Sequence, residues 1–182
     1  MKQRGIRDHA LGALILGFFT SAWFGWGQAE PPAGWSPWLT IGSIASILVA
    51  IPGGILSWKY RKGHTSLDAV RQTRYSVIVV IEIVLIAVGN AVLGVSDRSE
   101  WIPVWTCFIV GVHLVPFVPV FREPLYGIVG VLLVGVSAAA LVVGVRSSID
   151  PSAITGAGAG IVLFLVALND LFHATRMTFD AT

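Results

Sequence analysis

Apolar residues fall into six long runs divided by short polar stretches, at about 9–27, 38–58, 75–95, 101–121, 124–145 and 152–173. Each run reaches the roughly 17 to 25 residues that a helix needs to cross bilayer hydrocarbon. The pattern predicts an all-α, polytopic integral membrane protein, a single domain over 1–182 built as one bundle of six transmembrane helices. The first run also has the layout of a signal peptide. Lys2, Arg4 and Arg7 precede it, and Gly27-Gln28-Ala29 is a small-x-small cleavage pattern. We read it as a retained span.

Polar positions between the runs set orientation, because Lys and Arg near spans stay on the cytoplasmic side. Lys2, Arg4, Arg7, Lys59, Arg61, Lys62, Arg71, Arg74, Arg122 and Arg176 fall on one side, and Arg98 and Arg146 on the other. Both termini are therefore expected to be cytoplasmic. Trp26, Trp35, Trp38, Trp101 and Trp105 gather at the opposite ends of spans 1, 2 and 4, as an aromatic belt does. Pro31, Pro32 and Pro37 favour extended or turn structure in the first outer loop. In the inner loop from Lys59 to Arg74, Thr65 followed by Asp68 resembles a helix-capping start, so span 3 is expected to begin before the membrane. The basic face of that loop suits topology-setting first and lipid headgroups second.

Small residues recur at helix-packing spacing: Gly42, Ser46 and Ala50; Gly127, Gly130, Gly135 and Gly144; Gly156 and Gly160. Such positions let backbones approach within one bundle or between subunits. Pro52-Gly53-Gly54, Pro116 and Pro119 are expected to kink or break their helices, freeing carbonyls that can line a cavity.

Composition agrees with the pattern. Charged residues make up 12% and apolar residues 55%, against a charged share of about 25% in soluble domains. The net charge of +2 suits orientation in the membrane better than nucleic acid, which is not expected as a partner. Cys107 is the single cysteine, which excludes an internal disulfide and a cysteine-cluster metal site. The pattern is similar to that of small bacterial six-span proteins, and the expected location is a bacterial cytoplasmic membrane.

Candidate chemistry starts with Glu82, an acid inside the third run. An ionised side chain near a bilayer centre costs roughly 2.5 to 3.5 kcal/mol on insertion scales, so it needs a partner, a proton or a wet cavity. Counting from the inner ends of antiparallel spans 3 and 4, Glu82 lies about 10 Å deep and His113 about 12 Å deep. Gly89 falls almost in line with Glu82 on a helical wheel, Asn90 about 80° away, and Thr106 almost in line with His113. Two readings follow: a buried hydrogen bond that fixes two helices, or a proton- or cation-binding pair with Asn90 and Thr106 as polar lining. Near the inner end of span 6, Asn169, Asp170 and His173 form a second polar cluster. An interfacial cap is its simplest explanation, and Asp170 and His173 are spaced to pair with each other.

No metal is expected, since no further ligands share the depth of Glu82 and His113. No cofactor is expected either. Haem needs paired axial ligands, and His9, His64 and His173 fall at or outside the inner interface. No nucleophile motif or phosphate-binding glycine loop is present, so enzymatic activity ranks third. The matching strings Ile83–Asn90 and Ile161–Asn169 are too short to establish an inverted repeat. The functional expectation is binding or transport of a small solute or ion through the Glu82–His113 pair. The alternative is a non-catalytic membrane subunit, binding a protein partner or another copy through Gly127 to Gly144 or Gly156 to Gly160.

Overall fold

The computed structural model describes residues 5–61 and 69–179, with side chains for 5–61 and 72–179. Among these residues the chain is all-helical, with seven α-helices, one 3-10 turn and no strand. The helices are α1 (Ile6–Gly27), α2 (Ser36–Lys59), α3 (Ala69–Val95), α4 (Ile102–Leu114), α5 (Phe117–Phe121), α6 (Leu125–Arg146) and α7 (Pro151–Phe179), and the 3-10 turn Ser99–Trp101 leads into α4. Five of them, α1, α2, α3, α6 and α7, are long and apolar enough to cross a membrane, which marks a membrane protein.

Five expected runs become single helices, and the fourth becomes two. Pro116 has no N–H to give the Val112 carbonyl, which takes the Val115 N–H at 3.2 Å in a tighter turn. Pro119 repeats the effect, leaving the Val115 carbonyl to the Val118 N–H at 3.1 Å. Helix α5 then stops at Arg122, whose φ of 56° is left-handed.

The break expected at Pro52 is absent: α2 runs through it as one helix. The carbonyl that loses its partner belongs to exposed Leu48, and the adjacent Gly53 is pressed against α1, so packing carries the helix past the proline. Helix ends also reach beyond the apolar runs. Helix α3 begins at Ala69, six residues before Tyr75, and α7 continues to Phe179. Apolar runs mark the hydrocarbon stretch, while helical hydrogen bonding continues into polar sequence. The expected cap at Thr65 and Asp68, His64, Lys2, Arg4 and Lys62 lie outside the described residues, as does the Arg71 side chain.

Hydrocarbon gives apolar faces no drive to pair, so close backbone approach has to hold the helices together. Helix α1 lies between α2 and α7, antiparallel to both. A Cβ on Gly156 would come within 2.6 Å of Gly27 Cα, so α1 and α7 touch backbone to backbone there. The Phe24 ring fills notches on both neighbours: a Cβ on Gly42 or on Gly160 would meet it at 2.8 Å or 2.7 Å. Farther down α1, Gly53 of α2 packs so that a Cβ would reach Leu14 N at 2.7 Å.

Helix α6 joins this trio to α4. Gly130 and Gly111 form the α4–α6 crossing, where a Cβ on Gly130 would meet the Gly111 carbonyl at 2.6 Å. Ser137 Oγ donates to the Val104 carbonyl at 2.9 Å, and Cys107 Sγ donates to the Leu133 carbonyl at 3.3 Å. Helix α3 sits at the edge. Its packing partners are α4, α5 and the 3-10 turn, and none of its described side chains is buried.

Candidate functional site

Three polar links cross the seam between α3 and α4. Trp105 Nε1 donates to the Leu85 carbonyl at 3.0 Å, Thr106 Oγ1 donates to Asn90 Oδ1 at 3.2 Å, and His113 Nδ1 lies 3.0 Å from Glu82 Oε1. The first depends on Gly89. A Cβ there would meet Trp105 Cδ1 at 2.6 Å, so the indole occupies the space a side chain would fill. With the ring seated in that notch, its N–H reaches a helix carbonyl one turn away.

The Glu82–His113 contact is an ion-pair approach without a well-aligned hydrogen bond, for His113 Nδ1 is enclosed and has no hydrogen-bond partner of acceptable geometry. The side chains keep 15% and 13% of their surface, Glu82 and His113 respectively. On the far side of His113 the Phe117 ring packs edge-on at 5.0 Å, and Tyr75 stacks on Phe117 at 5.4 Å. Phe121 and Tyr126 extend the aromatic cluster across α5 and α6. Helix α5 therefore closes one end of the seam, and the break at Pro116 lets Phe117 turn under the pair.

All four residues of the expected pair and lining thus meet across one interface: Glu82 with His113, Asn90 with Thr106. The second cluster is arranged differently. Asp170 is 2% exposed and takes His9 Nδ1 of α1 at 2.7 Å, and it has further interactions beyond this one. His173 does not pair with it. Its ring stacks on His9 at 5.3 Å, and its Nδ1 donates to the Asn169 carbonyl at 2.8 Å. The Asn169 side chain is exposed, away from buried Asp170.

Comparison with family models, curated proteins and solved structures finds no match.

Sequence reasoning misses two participants, His9 and Trp105. Depth alone puts His9 at the interface, yet it precedes the stripe Ala10, Ala13, Gly17 and Thr20, all buried against neighbouring helices. That small-residue stripe is the available signal that His9 enters a packed face. Trp105 reads as part of the aromatic belt, and nothing in the spacing of tryptophans points to the Gly89 notch. Among the described residues, no group of three His, Cys, Asp or Glu side chains is placed to hold a metal ion.

Proposed function

We propose that this chain binds and exchanges a proton at Glu82–His113 in the course of binding or moving a small solute or ion across the membrane. The observation that carries the reading is the 3.0 Å contact between an acid and an imidazole in apolar helices, close but not locked by an aligned hydrogen bond. A purely structural clamp gains most when its bond is aligned, as between His9 and Asp170. A pair that exchanges a proton gains from the opposite: a contact close enough for transfer that no aligned bond fixes on one partner.

The reading includes a topology of six crossings, with α4 and α5 together making the fourth and both termini cytoplasmic. It assigns Gly130, Gly144, Gly156 and Gly160 to packing within the chain and leaves Gly135, where a Cβ would meet nothing within 4 Å, open to a partner subunit. Gly130, Gly144, Gly156 and Gly160 all lie against other helices of the same chain.

The test is proton uptake by vesicles reconstituted with the purified protein, followed with a trapped pH dye. Glu82→Gln is expected to slow uptake about a hundredfold or more, the usual size of a lost proton-transfer group. Uptake by Glu82→Gln at the parent rate would sink the reading.

A further inference from the structure

One face of α2 carries an exposed apolar stripe that ends in fixed positive charge. Ile41, Ile44, Leu48, Ile51, Ile55 and Trp58 follow one another at steps of three and four residues, and each is more than half exposed. From Leu48 to Trp58 the stripe is about 15 Å long, half of the hydrocarbon thickness of about 30 Å, so it runs beside the tails of one leaflet. Trp58, 71% exposed, closes it at the level where amphipathic rings meet headgroups. Helix α2 ends at the next residue, Lys59. The Arg61 guanidinium lies over the Trp58 ring, 4.6 Å from its centroid, and Lys59 Nζ lies 5.6 Å from the centroid of Tyr60. A ring holds a cation by charge attraction and supplies no oxygen to its hydrogen-bond donors. Among the described residues neither cation meets a carboxylate, and the sequence has no Asp or Glu between Glu30 and Asp68.

We infer that this end of α2 binds the head of an anionic phospholipid, of the phosphatidylglycerol class, with Arg61 and Lys59 at its phosphate and an acyl chain along Ile55, Ile51 and Leu48. The inference is independent of proton exchange at Glu82. Every phospholipid tail can cover the stripe, so the stripe by itself selects nothing. The head is what the site distinguishes. Two cations without a carboxylate favour a head with net negative charge. A zwitterionic head brings an ammonium of its own beside them, and its net charge of zero leaves theirs unbalanced. Arg61 adds geometry to charge, because a guanidinium gives two N–H bonds to one phosphate and loses little freedom when a ring already restrains it.

The test is quenching of tryptophan fluorescence by lipids brominated on the acyl chain. The full chain is reconstituted in phosphatidylcholine vesicles containing rising fractions of brominated phosphatidylglycerol or of brominated phosphatidylcholine. The part of the fluorescence lost in Trp58→Phe is assigned to Trp58. Brominated phosphatidylglycerol is expected to quench that part at an about fivefold lower fraction than brominated phosphatidylcholine, the factor that one basic residue near an anionic surface contributes. In the double variant Lys59→Gln, Arg61→Gln the two lipids are expected to quench alike, while the phosphatidylcholine curve stays that of the parent because the apolar face is unchanged. Equal quenching by the two lipids in the parent overturns the inference, since the face then takes any lipid. Quenching by neither lipid overturns it too, because protein then covers the face. A preference for phosphatidylglycerol that survives in the double variant removes Lys59 and Arg61 as the groups that hold the head.

Discussion

A carboxylate as enclosed as Asp170 needs its donors in place before the helices can close over it, and His9 is one of them at 2.7 Å. Removing a single partner leaves a buried acceptor short of a bond, which costs about 1 to 3 kcal/mol. His9→Ala is therefore expected to lower the thermal unfolding midpoint of the detergent-solubilised protein. His173→Ala, which removes a stacked ring from an exposed position, is expected to change it much less. Equal midpoints for His9→Ala and the parent would refute the clamp. Residue types and depth make Glu82 and His113 legible as neighbours. The partner of Asp170 is not legible, because a histidine at the first turn of α1 looks solvent-facing until the packing of α1 on α7 is known.

At the scale of the elements, glycines divide into those that carry a crossing and those that face open space, and spacing alone does not tell them apart. Gly156 touches the α1 backbone, while nothing lies within 4 Å of a Cβ built on Gly135. Gly156→Ala must push α1 and α7 apart, an overpacking penalty of about 1 to 3 kcal/mol. Gly135→Ala meets no obstacle and is expected to leave stability at or slightly above that of the parent. Thermal melts of the two variants side by side check this; a Gly156→Ala protein as stable as Gly135→Ala would remove the α1–α7 backbone contact from the account. The five long helices and their approximate limits are legible from apolar runs because hydrocarbon thickness sets their length, whereas the fourth run forms two shorter helices instead of the one expected. The behaviour of the prolines is not, since the outcome depends on neighbours. Pro52 sits beside Gly53, which is wedged against α1, and its helix continues, whereas Pro116 and Pro119 act together and break theirs.

Across the whole molecule, the path of α4 and α5 decides which sides the termini occupy. Helix α4 alone has 13 residues, about 20 Å and short of the hydrocarbon thickness of about 30 Å. Its contacts nevertheless follow α6 from one end to the other. Trp101 lies against Gly144, Val104 bonds Ser137, Cys107 bonds Leu133, Gly111 crosses Gly130, and Phe121 stacks on Tyr126 at 5.0 Å. Helix α6 has 22 residues and is long enough to cross by itself. In the proposed topology, an antiparallel segment that stays beside it from its last turn to its first crosses the same thickness, even when broken at Pro116. On that proposal the crossings are even in number, and tags at the two termini are expected to be cleaved from the same face of oriented vesicles, the one proposed as cytoplasmic because most Lys and Arg lie there. Tags cleaved from opposite faces would mean that α4 and α5 turn back within the membrane. In that case α6 would start from the outer side and α7 from the inner, and Arg146 would join the basic inner side.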